Sequence, residues 1–263
     1  MKLILASAQD PAALNIAVRL LELHDFEKYH TLPNAYICGN VLLVNIDHEA
    51  TQITTPPFDA DEVIVASRHA SEAGKPSFTV HVPGELERGE LAVASPQTIK
   101  SALQELASAR DEFGLPHEVS LEATHHGPTK LGVPVTFVEI GSTLNQWQNE
   151  KAGEVAARAI MVAATSSTKC TNAIGFGGPH YAPRHTEVTL HTDIAVGHIL
   201  PKYSSLDEKL IERAVLCTRN GAKLFVLDRK GMSREQRMLC QRVAAGLGIR
   251  TAFAGEVLSG EKV

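Results

Sequence analysis

Cysteine is scarce and scattered. The four residues, Cys38, Cys170, Cys217 and Cys240, form no CxxC pair, which argues against a disulfide framework or a thiolate zinc site and for reduced thiols in a cytoplasmic setting. Aromatics are only 5% of the chain, with a single Trp, so its core must rest on aliphatic side chains. No apolar run is long enough to cross a bilayer, and Gln9, Asp10 and Pro11 break the opening MKLILASAQDP before it can form a secretory core segment. Neither membrane insertion nor export is expected. Basic residues are outnumbered, 25 Lys and Arg against 30 Asp and Glu, for a net charge of −5. This excludes the overall basic signature of many nucleic-acid binders, and a polyanionic partner would have to meet a local patch. Several catalytic strings are missing as well. There is no GxGxxG or GK[ST] phosphate loop in the right setting, no HExxH helix and no GxSxG elbow, which leaves activated water as the favoured nucleophile.

What is present is a 263-residue chain with 44% hydrophobic residues, enough for one large α/β domain. Lys2 to Ser7 is predicted as a buried strand, followed by a helix with Asp10 as N-cap and Pro11 at its first position, running to about His24. Further strands are predicted at 35–45, 62–67, 77–82, 118–124, 134–140, 223–227 and 249–253. Further helices are predicted from Ser95-Pro96 to about Phe113, from Thr143 through Trp147 to about Ala164, from Ser205 to Asn220-Gly221, and from Ser233. Such alternation implies a mostly parallel sheet covered on both faces. No linker divides the chain, so residues 1–263 form one expected domain, with 47–61 as a surface excursion.

Twelve histidines are about twice ordinary usage. Four apolar runs end in polar groups: Ser67-Arg68-His69, His81, His125-His126-Gly127-Pro128, and Glu139 before Gly141. Ligands of open α/β sheets bind beyond the carboxyl ends of strands, so a polar crevice is expected there. A single histidine is more often a satisfied core or surface residue than a ligand; four strand ends agreeing shifts that balance. The stretch from Gly175 to His185 holds three glycines and two prolines, and is expected as a shaped loop rather than helix or central strand. Its Gly177 and Gly178 amides are candidates to face an oxyanion or phosphate, and Arg184 to grip phosphate or carboxylate. Together His69, His81, His125, His126, Glu139, His180, His185 and His198 offer donors for one or two zinc ions, or for acid–base work without metal.

The strings SRHAS (67–71), TVHVPG (79–84), EATHHGP (122–128), VEIGST (138–143), GFGGPHYAPRHTE (175–187) and GHILPKY (197–203), in this order, resemble the archaeal and plant D-aminoacyl-tRNA deacylase family. The resemblance implies a three-layer α/β/α fold with a mixed, mostly parallel sheet akin to phosphorylase and peptidyl-tRNA hydrolase domains. It also implies a zinc requirement and hydrolysis of the ester joining a D-amino acid to the tRNA 3′ end. Pro179 stands where the family pattern leads one to expect a third glycine.

On that basis His125, His126, Glu139 and His185 are the expected catalytic residues. Arg68, Lys75, Gly177, Gly178, Arg184 and Lys202 are expected to hold the aminoacyl-tRNA acceptor end. The protein would act in the cytoplasm as a monomer or small homo-oligomer. A zinc-dependent peptidase or amidohydrolase could use the same donors. A non-catalytic RNA-binding module is disfavoured by the acidic charge and by leaving the histidines unexplained.

Overall fold

The computed structural model describes residues 1–260. Its strands are β1 (Lys2–Ser7), β2 (Glu27–Lys28), β3 (Ala35–Cys38), β4 (Val41–Ile46), β5 (Glu62–Ala70), β6 (Ser77–His81), β7 (Gly84–Glu85), β8 (Glu90–Leu91), β9 (Glu118–Leu121), β10 (Val135–Ser142), β11 (Thr171–Phe176), β12 (Ile194–Leu200), β13 (Leu224–Leu227) and β14 (Arg250–Phe253). Its α-helices are α1 (Pro11–Leu23), α2 (Pro96–Glu112), α3 (Leu144–Trp147), α4 (Glu150–Thr165), α5 (Pro183–His191), α6 (Glu208–Leu216), α7 (Arg234–Leu247) and α8 (Ala254–Ser259). The class is mixed α/β. A large sheet in the order β2-β3-β4-β1-β5-β10-β6-β9 is accompanied by a parallel four-stranded sheet, β12-β11-β13-β14, and the short ribbon β7-β8.

Local chemistry explains the helix starts. The Asp10 carboxylate accepts from the Ala12 and Ala13 amides, leaving Pro11 at a position where no amide hydrogen is needed. Ser233 and Gln236 close a capping box at α7. The long helix expected from Thr143 is interrupted: α3 stops at Trp147, and Asn149 caps a fresh start for α4. Asp207, not Ser205, caps α6, which ends at Leu216 rather than at Asn220-Gly221. Residues 35–45 split into β3 and β4, turning at Gly39, whose φ of 57° suits glycine. The 47–61 segment carries one 3-10 turn, Ala50–Gln52.

The stretch expected as one loop from Gly175 to His185 is loop only in its middle. Gly175 and Phe176 end β11, and Pro183 opens α5 at the one helical position where proline is favoured.

The second sheet shares its two faces between two apolar clusters. Ala173, Val196, Leu224, Val226 and Ala252 join the main core with β1, β5 and β10. Ile174, Phe176, Leu200, Phe225 and Leu227 pack with Leu210, Ile211 and Val243 of α6 and α7. Residues 121–124 run along the seam: Thr124 N donates to Ile199 O, Ala123 N to His180 O, and Ala182 N to Leu121 O. The loop after β11 is thereby laid over the edge of the large sheet.

Candidate active site

β6 pairs antiparallel with β10, and β9 runs parallel to β6. Their carboxyl ends therefore point opposite to those of β5 and β10, and the expected crevice beyond a common strand edge is corrected by this reversal. What gathers the groups is one face of the large sheet. Register places Glu139 opposite both Ser67 and Thr79, Phe137 opposite His81, and Gly141 opposite both His69 and Ser77. Since side chains alternate along a strand, these residues and the 118, 120 and 122 series of β9 share that face. β10 is buried along its whole length, so Glu139 is a carboxylate inside a core strand.

At the centre lies Glu122, whose side chain is fully buried. One of its oxygens is 3.0 Å from His69 Nδ1 and 3.7 Å from His180 Nε2; the other is 3.3 Å from His81 Nδ1 and 3.8 Å from His125 Nε2. Neither oxygen has a hydrogen bond of good geometry. Glu139 accepts from the Thr79 hydroxyl at 3.1 Å and lies 3.5 Å from His69 Nδ1. Glu122 was not among the residues singled out from sequence, although it stands inside the string EATHHGP. Tyr181, also not singled out, places its hydroxyl 2.6 Å from His69 Nε2.

Electrostatics sorts the imidazoles. Burial disfavours a charged His69 ring, but Glu122 and Glu139 outweigh it and push its pKa up to about 11. Burial, then the neighbouring His81 and His126, pushes His125 down to about 2; burial and His81 push His126 down to about 4; burial also lowers His180. Burial raises the Glu122 carboxyl, but the facing imidazoles more than reverse this and hold it ionised.

Hydrogen-bond partners fix the tautomers of two rings, and a facing carboxylate biases that of a third. His125 Nδ1 donates to Ala123 O at 2.8 Å, His126 Nδ1 donates to Gly127 O at 2.6 Å, and His81 Nδ1 faces Glu122. Each Nε2 is then left with a lone pair. Those of His81 and His126 are only 3.2 Å apart. Two facing lone pairs repel, whereas ligands at 2.0–2.1 Å from a tetrahedral cation stand about 3.3 Å apart. His81, His125 and His126 form one group with metal-ligand spacing; Glu122, His125 and His180, and His69, Glu122 and Glu139, form two more. The residues present thus fit a divalent cation, with the carboxylates orienting imidazole ligands.

Other expected residues lie elsewhere. His185, on α5, is 1% exposed against Gly175, where a Cβ would meet its ring at 3.0–3.1 Å; it joins none of the metal-spaced groups. His198 is fully buried, its Nδ1 3.2 Å from the Thr124 hydroxyl and its Nε2 3.0 Å from Ala92 O, so it ties β12 to the seam. Arg68 is engaged by Glu49 at 2.8 Å and faces Asp10 at 3.8 Å. The Gly177 and Gly178 amides donate to Leu200 O and Gly231 O, and so do not face an oxyanion. Arg184 pairs with Glu187 on the outer face of α5.

Lys75 lines a cavity of about 580 Å³ with Ser77, Glu118, Ser142, Tyr181 and Leu190. Lys202 lines a shallower one with Tyr203, Lys230, Gly231 and Met232. The two flank the centre, through Tyr181 and Tyr203 respectively.

This fold and site define an α/β protein with a buried histidine–carboxylate centre placed for hydrolytic chemistry. The sequence profile of the D-aminoacyl-tRNA deacylase family matches residues 57–252, and the chain belongs to that family. The D-aminoacyl-tRNA deacylase of Methanosarcina mazei is 38% identical, covering 97% of this chain and 92% of its own length. That of Pyrococcus furiosus is 35% identical, covering 95% and 98%. A crystal structure of a conserved protein of unknown function matches with a TM-score of 0.90 and 30% identity, over 98% of this chain and 97% of that one. No helix among the described residues is long and apolar enough to cross a membrane.

Proposed function

We propose that this chain hydrolyses the ester bond of D-aminoacyl-tRNA, releasing free D-amino acid and tRNA in the cytoplasm. The observation that carries this reading is the three-imidazole group backed by a buried carboxylate, in a member of a family whose relatives bear that activity in their names. His81, His125 and His126 would hold zinc, with His69, Glu122 and Glu139 able to accept a second ion. Bound there, zinc supplies Lewis acidity, lowering the pKa of water and polarising the ester carbonyl.

The chain's own groups do the rest. Glu122 orients His81, and its charge stands behind His125 and His180. His180 is kept neutral by burial yet is 36% exposed at its side chain, so its Nε2 can take a proton from the attacking water. The water oxygen bonds to the ester carbon while the carbonyl π pair moves to oxygen. On collapse the oxyanion pair re-forms the carbonyl, the ester C–O bond breaks with its electron pair going to the ribose oxygen, and that oxygen accepts the proton from His180. The Tyr181 hydroxyl, 2.6 Å from His69 Nε2, stands between this centre and the larger cavity that Tyr181 lines.

Paired D- and L-aminoacyl-tRNA, assayed with and without chelator, test the reading. D-esters should be cleaved at least about a hundredfold faster, or roughly 2.7 kcal/mol in relative transition-state binding. Metal analysis of protein purified without added metal should find zinc. Equal cleavage of both stereoisomers, or turnover indifferent to strong chelators, would overturn it.

A further inference from the structure

The two hollows beside the centre differ in chemistry. The larger is mixed in charge, with the carboxylates Glu118 and Glu187 beside the cations Lys75 and Arg110, and has an apolar wall of Val119, Pro183 and Leu190. The smaller contains Lys202, Tyr203 and Lys230 and no acidic residue. Among the described residues neither lysine has a carboxylate at ion-pair distance, unlike Arg68, Arg184 and Arg229, which do. Tyr203 is the most exposed of the aromatics near the centre, at 61%, yet its hydroxyl is 3.3 Å from His180 Nδ1. An apolar ring left in water at the lip of a reaction centre, between two unpaired cations, is what a single-stranded nucleic acid needs: a face for a base and charges for its phosphates.

From this we infer that the substrate lies across the centre in one direction only. The unpaired 3′ end of the RNA rests on the second sheet, its terminal base stacked on Tyr203 and its phosphates between Lys202 and Lys230. The aminoacyl group then points past Tyr181 into the larger cavity, whose apolar wall of Val119, Pro183 and Leu190 suits a side chain, whereas only the smaller hollow is free of carboxylates that would oppose phosphates. This rests on the deacylase reading for the identity of the substrate, but the surface can be tested without any hydrolysis.

The probe is an uncharged acceptor-stem RNA hairpin ending in a single-stranded adenosine, with affinity for the full protein read by fluorescence anisotropy. Tyr203→Leu should weaken binding at least about fivefold, the lower end of the range for a lost base–aromatic stack, and Tyr203→Phe should stay within about twofold. The double variant Lys202→Ala/Lys230→Ala should reduce the slope of log affinity against log salt by about two. Leu190→Trp, which fills the other cavity, should leave hairpin affinity unchanged and lower kcat/KM most for D-aminoacyl esters with bulky side chains. Loss of hairpin affinity in Leu190→Trp with none in Tyr203→Leu would reverse the assigned direction and overturn the inference, as would an unchanged salt slope in the double variant. Hairpin binding by these rules without ester hydrolysis would sink the deacylase reading and leave the surface standing. D-ester hydrolysis with an unchanged KM in Tyr203→Leu would do the opposite.

Discussion

Glu122 concentrates the centre in one side chain. A carboxylate with no exposure and no well-formed hydrogen bond is costly unless opposite charge stands near, and four imidazoles surround it. Glu122→Gln preserves shape while removing that charge, so bound zinc should weaken about 10–100-fold, with activity falling alongside. Titration with a competing chelator checks this; wild-type zinc affinity in the variant would show that the carboxylate plays no part in holding the ligands. His185→Ala and His198→Ala, by contrast, should lower stability without altering zinc content, because neither ring belongs to a metal-spaced group.

His117 carries a different consequence. It stacks on Phe78 at 4.5 Å with both ring nitrogens unpartnered, and burial, then Arg110, pushes its pKa down to about 4. The unfolded chain takes up this proton near pH 6.5, but the folded one does not until about pH 4. Stability present above about pH 6.5 is therefore lost as pH falls through that window, by up to about 3 kcal/mol. His117→Phe should narrow the difference between urea unfolding free energies at pH 7.5 and 4.5. An undiminished difference would assign the acid sensitivity to other groups.

At the scale of elements, the site depends on the direction and parity of strands. The helix starts at Asp10 and Ser233 could be found in the sequence because a cap is a contact within three residues. Strand direction is not local. Nothing in SFTVH says that it turns back against PVTFVEI, so the reversal of β6 and β9 was invisible, and with it the face on which Glu122 would emerge. The signal available was parity: once β9 is aligned with β6, Glu118, Ser120 and Glu122 share the face of Ser77, Thr79 and His81. The strings that hold His125, His126 and His180 are unusual, but His185 and His198 stand in equally unusual strings and are buried outside the metal-spaced groups. Gly141 shows how tightly the face is filled. A Cβ there would collide with Ser77 Oγ and come within 3.0 Å of His69 Cδ2. Gly141→Ala should cost about 1–3 kcal/mol by overpacking and displace His69, with kcat falling more than KM rises. An alanine variant with native stability and turnover would mean that the strands can part at no cost.

Across the whole molecule, the centre is assembled from both sheets. His69, His81 and Glu139 come from the large sheet; Glu122, His125 and His126 from the chain leaving it; His180 and Tyr181 from the loop that follows β11 of the small one. That loop is pinned by bonds to residues 121–124, the same segment that delivers His125 and His126. An ion on His81, His125 and His126 would bind the folded seam and not the open chain, so it must stabilise the fold by RT ln(1 + [L]/Kd), roughly 4 kcal/mol at a thousandfold excess over Kd. Chelation should therefore lower the unfolding midpoint by several degrees at this chain length. The loss should be local before it is global. Amide hydrogen exchange should quicken first in residues 121–126 and 177–182, while β1, β5 and the apolar face of the second sheet that joins the main core stay protected. Uniform quickening throughout, or none despite complete metal removal, would show that the seam is held by its backbone bonds and apolar packing alone.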